Sequence, residues 1–307
     1  MTFTTLLLAS ALTFSVTHPP ASGDEEHGQG SENMGDVIMH HISDANVLEF
    51  EPFGKIHLPH IELFGIDFSI TKHVVFMMLA AAFLVVVLRL AARRTPGEVP
   101  TGFAAAIEAV VEFIRNEIAI ANMGERLGLM FLPYLCTLFF FILTCNLFGL
   151  IPYGATPTGN VSVTAALAIL TFILTQAMSI KAHGLSGYLH HLTGGVHPAM
   201  WIVMVPVEFL GLFTKPFALC IRLYANMTAG HVVILSLISL IFIFGKSGAN
   251  PVAGYGVAPL TIAFSLFVYL LEIFVAFLQA YIFTLLTALF IGLAAHSEHY
   301  EEGLHEA

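Results

Sequence analysis

The sequence predicts an all-α membrane protein with about five transmembrane helices and one further amphipathic helix at the membrane interface. Hydrophobic residues make up 57% of the 307 residues and charged residues only 10%, a far more apolar composition than that of soluble domains. Several apolar runs reach the roughly 20 residues that a helix needs to cross the hydrocarbon core. One polytopic membrane domain therefore accounts for most of the chain.

Both ends of the chain differ in composition from this domain. We divide the sequence into a candidate signal peptide (1–23), an acidic extracytoplasmic segment (24–69), the membrane domain (70–295) and a short acidic cytoplasmic tail (296–307). The first apolar stretch is too short to span comfortably. It also lacks the basic residues that precede most signal-peptide cores, so an uncleaved interfacial segment is the alternative.

Basic residues set the expected orientation. The first long apolar run, Val74 to Leu90, is followed directly by Arg93 and Arg94. Such residues stay on the cytoplasmic side of a membrane. The acidic segment before the run is therefore expected outside, and an odd number of crossings places the C-terminal tail in the cytoplasm.

Three further segments follow in order. Within residues 102–121, Glu108, Glu112 and Arg115 interrupt an apolar pattern at helical spacing, which predicts the interfacial helix rather than a span. Residues 130–151 and 161–180 are long, mainly apolar runs, each ended by a proline, turn residues or a lysine. They predict two more transmembrane helices.

The last two apolar runs are unusually long. They extend from Met200 to Phe244 and from Leu260 to Ala295, separated by the glycine- and proline-rich stretch Gly245 to Pro259. A helix of about 40 residues is about 60 Å long, twice the thickness of the hydrocarbon core. Each run must therefore tilt strongly or fold as two half-spans, which Pro206 and Pro216 permit in the first run. Chain order leaves both arrangements open.

Composition excludes several classes of function. A net charge of −10 with only 11 Lys and Arg residues excludes a nucleic-acid surface. The sequence contains no glycine-rich phosphate loop or nucleophile motif, so we expect no covalent catalysis by this chain alone and no cofactor. Four histidines crowd one cytoplasmic loop: His183, His190, His191 and His197. No carboxylate or cysteine with ligand spacing accompanies them, so we expect no metal site.

Polar residues inside the last two apolar runs indicate an ion path. Arg222 is permanently charged, and an arginine at mid-membrane costs about 2.5–3.5 kcal/mol even on the lenient insertion scale. Glu208, Glu272 and Gln279 have equally apolar surroundings. The alternative for Arg222 is an internal salt bridge with Glu272 or Glu208. For Gln279, and for His231 further along the same apolar run as Arg222, it is a hydrogen bond to a neighbouring backbone carbonyl.

Helical spacing arranges these groups by depth. Glu208 precedes Arg222 by 14 positions, which places it about 40° off the arginine's face and about 21 Å nearer the cytoplasm. Asn226 is also about 40° off that face, one turn further out. His231 lies about 180° round and about 13 Å nearer the outside. Arg222 thus has polar groups on both sides in depth.

The following run crosses in the opposite direction. If the two helices pair as a hairpin, Glu272 lies near the depth of His231 and Gln279 near that of Arg222. An imidazole and a carboxylate at one depth can pass protons at neutral pH, since their ordinary pKa values are near 6.5 and 4.3.

Two motifs in these runs resemble the ATP synthase subunit a family. The first is Lys215-Pro216 through Arg222-Leu223-x-x-Asn226-x-x-Ala229-Gly230-His231, which resembles that family's signature helix. The second is Leu271-Glu272-Ile273 through Leu278-Gln279-Ala280-Tyr281-Ile282-Phe283, which resembles its last helix. The stretches 146–152 and 159–164 also resemble its middle helices, so the resemblance covers about residues 70 to 295.

The resemblance implies a site. The last two runs would form a tilted helical hairpin against a ring of c subunits, which favours the long-helix arrangement. Arg222 would be the essential arginine facing each c-subunit carboxylate. Two half-channels would flank it, an outer one lined by His231, Glu272, Asn226 and Gln279, and a cytoplasmic one lined by Glu208.

The same resemblance implies a function. Protons would pass through the half-channels to and from the c-ring carboxylates, coupling proton flow to rotation and ATP synthesis. The implied partners are the c ring, b-type peripheral stalk subunits and the rest of the synthase, in the inner membrane of a bacterium. The competing hypothesis, a secondary ion-coupled transporter, predicts inverted repeats and paired broken helices, which the sequence lacks. A purely structural scaffold would not need polar groups around an intramembrane arginine.

Overall fold

In the computed structural model, the described residues from 71 to 296 are mostly helical. The structure describes residues 47–50, 54–57, 62–63, 66–67, 71–92, 101–151, 156–192, 201–246 and 251–296. For His231, the strands and parts of the helix ends, this description covers the backbone alone. The predicted signal peptide and the tail beyond residue 296 lie outside the described residues.

Six α-helices make up the described membrane domain. They are α1 Lys72–Ala92, α2 Phe103–Phe113, α3 Ala121–Gly149, α4 Val161–Leu192, α5 Trp201–Lys246 and α6 Pro251–His296. A π-helical turn, Ile114–Ile120, joins α2 to α3, and a 3-10 turn, Pro157–Gly159, precedes α4.

Short strands occur only before this domain among the described residues. Val47–Phe50 (β1) pairs antiparallel with Gly54–His57 (β2), and Glu62–Leu63 (β3) pairs antiparallel with Ile66–Asp67 (β4). The sequence of this acidic segment predicts no regular secondary structure, so these strands are a finding of the structure. The prediction of an all-α membrane protein is confirmed by the described helices that follow.

Five stretches of the described chain are long and apolar enough to cross a membrane. They are Lys72–Ala92, Phe103–Gly149, Val161–Gly184, Trp201–Leu237 and Pro259–Ala295. Their number agrees with the five predicted spans. The chain is therefore a multi-pass membrane protein.

The 47-residue stretch Phe103–Gly149 is two helices rather than one. Gly124 has a φ of 73°, a left-handed conformation that glycine adopts readily. Residues nine apart in a straight helix lie about 13 Å apart, yet a Cβ on Gly128 would lie 2.9 Å from the carbonyl carbon of Ala119. The chain therefore folds back at Gly124. The predicted amphipathic helix is separate from the span, and no residue of its first part, α2, is buried.

The two longest helices are continuous. Helices α5 and α6 each contain 46 residues, and they run through Pro206 and Pro216 in α5 and through Pro259 in α6. Each is about 69 Å long, so the half-span alternative is wrong. Helix α6 also begins at Pro251, within the stretch predicted as a connector. Proline suits the first position of a helix because the missing N–H has no partner there in any case.

The buried side chains of α6 lie on one face of the helix. Its buried residues recur at intervals of three and four: Glu272, Ala276, Gln279, Ala280, Phe283, Thr284, Thr287, Ala288 and Ile291. The two threonine hydroxyls donate to carbonyls one turn earlier in the same helix. Small residues on one face allow helix backbones to approach closely in a membrane. Glu272 and Gln279 therefore belong to the packed face of α6.

The chain divides into two compact units. The first contains Met1–Ala80, Thr144–Val163 and Leu223–Leu278. The second contains Ala81–Leu143, Thr164–Arg222 and Gln279–Ala307. Helices α5 and α6 therefore contribute one segment to each unit.

Candidate functional site

Arg222 lies on the outward-facing side of α5. The buried residues of this helix fall on one face, with spacings of one, three and four: Leu219, Cys220, Leu223 and Met227. Each residue turns the helix by about 100°, so Arg222 falls well away from this face and its side chain is exposed. The structure records no ion pair to its guanidinium from any described residue.

The second unit places two other predicted site residues with Arg222. Glu208, on the same helix, is half-buried. Gln279, on the packed face of α6, is only 2% exposed. This unit therefore contains the arginine, the carboxylate predicted on its cytoplasmic side and one amide.

A second cation on α5 has a different environment. Lys215 is exposed, and its Nζ lies 5.7 Å from the centroid of the Phe290 ring on α6. A cation over an aromatic face at this range is attracted to the ring. The lysine thus has an aromatic partner within its own unit.

Glu272 occupies a niche in the first unit. Its side chain is 4% exposed, and neither carboxylate oxygen has a hydrogen-bond partner among the described residues. The carboxylate packs against Gly230 of α5. A Cβ at Gly230 would overlap Oε1 of Glu272 and lie 2.8 Å from its Cδ. The glycine therefore provides the space that the carboxyl group fills.

A second polar cluster in the first unit ties α3 to α6. Asn146, 1% exposed, donates from Nδ2 to the backbone oxygen of Ala276 at 3.3 Å. Thr158, fully buried in the 3-10 turn, donates to Oδ1 of Asn146 at 2.7 Å. The Tyr269 hydroxyl donates to the backbone oxygen of Leu150 at 3.0 Å. Two hydrogen bonds therefore join the end of α3 to α6.

The remaining predicted residues are described less completely. Asn226 is exposed on α5 and belongs to the first unit, as does Glu272. The side chain of His231 lies outside the described residues. The predicted relay between His231 and Glu272, and the roles of all six site residues, therefore stay predictions.

Several of these residues have no role that the sequence predicts. Gly230 and Asn146 stood within quoted motifs, but a glycine beside a glutamate and an amide beside a carbonyl meet only after folding. No motif or spacing in the sequence points to Tyr269 or Thr158. Of these residues, only Asn146 could have been singled out from the sequence, because it is an amide side chain in a mainly apolar run, as Gln279 is.

The described residues contain no group of three or more His, Cys, Asp or Glu side chains placed to hold a metal ion. Three of the four histidines predicted to lie in a cytoplasmic loop, His183, His190 and His191, lie instead within α4. His183 bonds through Nδ1 to the backbone oxygen of Ser179 at 3.0 Å. The side chains of the other three lie outside the described residues.

Comparison with known proteins agrees with the extent of the helical domain. The profile of the family described as "ATP synthase A chain" matches residues 74–292. The protein named "ATP synthase subunit a" of Chlorobium phaeobacteroides (strain DSM 266) is 56% identical over 295 residues, which cover 93% of this chain and 83% of that protein. The protein of the same name from Chloroherpeton thalassium is 56% identical over 269 residues, which cover 86% of this chain and 78% of that protein. Another, from Anaeromyxobacter dehalogenans, is 48% identical over 295 residues, 90% of this chain and 74% of that protein. Since the profile runs from α1 to α6 and these relatives align over most of their length, the chain belongs to the ATP synthase A chain family.

Proposed function

We propose that this chain is the proton-translocating subunit a of a rotary F-type ATP synthase. The observation that carries the proposal is Arg222, a permanent charge exposed on an apolar 46-residue helix. A membrane protein keeps such a charge only where a partner or water compensates its cost. A ring of c subunits, each presenting one carboxylate, supplies that partner.

In the proposed mechanism, protons enter from the outer face through His231 and Glu272, with Asn226 and Gln279 lining the same half-channel. The burial of Glu272 and the room left by Gly230 support this role. The proton passes to a ring carboxylate and neutralises it. The neutral group can then rotate into lipid, since burying the charged form would cost far more.

On the cytoplasmic side, the ring carboxylate releases its proton toward Glu208 after a near-complete turn. Arg222 attracts the ionised carboxylate and blocks a direct leak between the two half-channels. Such a leak would dissipate about 2.3 kcal/mol per charge for each 100 mV of membrane potential. The arginine therefore makes proton flow depend on rotation.

We also propose the orientation predicted from the sequence, in the inner membrane of a bacterium. The N-terminal segment faces outside and the C-terminal tail faces the cytoplasm, because Arg93 and Arg94 follow the first span. A protease should remove a C-terminal tag in inside-out vesicles but not in intact spheroplasts. Cleavage from the outside would reverse the assignment.

Assembly is the experiment that tests the proposed function. The chain would act with the c ring and b-type peripheral stalk subunits and would perform no covalent chemistry alone. We expect an affinity-tagged chain, extracted in mild detergent, to co-purify with these subunits and with an ATPase activity that pumps protons after reconstitution. A chain that purifies alone and exchanges a solute across liposomes would instead be a secondary transporter.

A further inference from the structure

We propose that the end of α3 acts as a clamp on the part of α6 that carries Glu272, with Asn146 and Tyr269 as its positioning residues. The proposal rests on the proposed function, in which Glu272 relays protons. The clamp would set the depth and rotation of Glu272 relative to Gly230.

The side-chain amide of Asn146 can bond to α6 in only one orientation. The group that faces Asn146 from α6 is the backbone oxygen of Ala276, which can only accept a hydrogen bond. The amide nitrogen must therefore point to α6 and the amide oxygen toward Thr158. The Thr158 hydroxyl donates to that oxygen and holds the side chain in this orientation. An asparagine so fixed joins α3, the 3-10 turn and α6.

The Tyr269 bond adds a second connection between the same two helices. Asn146 pairs with Ala276, whereas Leu150, four residues later in the chain, pairs with Tyr269, seven residues earlier. The pairing order is that of antiparallel segments. Because seven residues make nearly two helical turns, both bonds leave α6 from nearly the same side. Two bonds at different depths oppose both sliding and rotation of the helix.

Glu272 lies between the two bonds, three residues after Tyr269 and four before Ala276. Its own carboxylate has no hydrogen-bond partner among the described residues, so its backbone must define its position. Elsewhere this part of α6 exposes large apolar side chains, among them Leu266, Leu270 and Phe274. Apolar contacts are non-directional. The two hydrogen bonds of the clamp are therefore directional contacts that flank Glu272 on α6 and hold it in register.

Tyr269→Phe and Asn146→Leu in the assembled synthase test the clamp. The first removes only a hydroxyl, and the second replaces an amide by an apolar group of similar size. A typical intramolecular hydrogen bond corresponds to roughly a 2- to 10-fold effect, so each variant should lower ATP-driven proton pumping in inverted vesicles by about that factor. The double variant should lose more than the product of the two, because either bond alone still restrains α6.

The pH profile separates positioning from simple destabilisation. A displaced Glu272 exchanges protons in a different environment, so the pH at which pumping is half-maximal should shift by about half a unit or more. A merely structural defect would lower the rate at every pH without moving the profile. Thr137→Val is the matched control, because the Thr137 hydroxyl bonds only to Pro133 O of its own helix, and the profile should stay as in the wild type.

Glu272→Gln in the same assay distinguishes the failure of the clamp from that of the proposed function. If Glu272→Gln pumps normally, the proposed role of Glu272 is wrong. If Glu272→Gln is inactive while Tyr269→Phe and the double variant pump with wild-type rate and profile, the clamp is overturned. If the Asn146→Leu variant fails to assemble, the pH profile of Tyr269→Phe alone tests the clamp. That variant keeps the aromatic packing and loses only the hydroxyl.

Discussion

Replacing Arg222 by alanine is expected to reduce ATP-driven proton pumping to below about 1% of the wild-type rate, a loss of about 2.7 kcal/mol or more in the coupled step. In the proposed mechanism, the guanidinium attracts the ionised ring carboxylate and separates the half-channels electrostatically, and an alanine side chain can do neither. Because the side chain is exposed and does not belong to the packed face of α5, the complex should still assemble. Acidification of inverted vesicles, measured with a fluorescent pH indicator, gives the rate.

Lys215→Ala provides the matched control for this prediction. It removes another exposed cation from α5, seven residues earlier. Its contact with the Phe290 ring is worth about 0.5–1 kcal/mol at an exposed site, so pumping should fall by no more than a few fold. Normal pumping by the Arg222 variant, or an equal loss in both variants, would contradict a specific role for Arg222.

Gly230→Ala is expected to lower proton pumping by about tenfold or more while the complex still assembles. The added Cβ would overlap Oε1 of Glu272. The end of a glutamate side chain is flexible, so the carboxylate should move out of its niche before the helices separate. A displacement of about 1 Å in a catalytic group can cost as much as 100-fold in rate. Pumping by the purified, reconstituted complex measures the loss, and subunit composition on a gel measures assembly.

Gly211→Ala is the control on the same helix. A Cβ at Gly211 would meet no atom within 4 Å, and alanine favours a helix over glycine by about 1 kcal/mol. This variant should pump like the wild type. Equal losses in the two variants would mean that the niche at Gly230 has no special role.

Much of the fold follows from hydrophobic run length. Because each crossing needs about 20 apolar residues, the five spans could be located from composition, and the charges in residues 102–121 separated the amphipathic helix. Arg222, Glu208, Glu272 and Gln279 stood out because ionisable or amide groups are costly in hydrocarbon. These inferences use only one-dimensional information.

The remaining features depend on contacts between segments distant in sequence. Nothing local indicates that Gly128 meets Ala119 after the fold-back at Gly124, or that the Gly230 backbone adjoins Glu272. The start of α6 at Pro251 lies within a stretch that its glycines and prolines predict to be a connector, although proline also suits a first helical position. The bond from Asn146 to Ala276 spans 130 residues, beyond any pattern of local spacing.

The outward position of Arg222 has a consequence for biogenesis. Under the proposed function, a newly inserted copy that has not yet joined the c ring would present a guanidinium to the acyl chains, at a cost of about 2.5–3.5 kcal/mol on the insertion scale. A copy in this state would deform the surrounding lipid or lie at an incorrect depth. Either change would make it a target for membrane proteases. The cellular lifetime of the chain should therefore depend on the supply of ring subunits. Arg222 would in this way help to match the amount of this chain to that of the ring, in addition to its proposed role in proton transport.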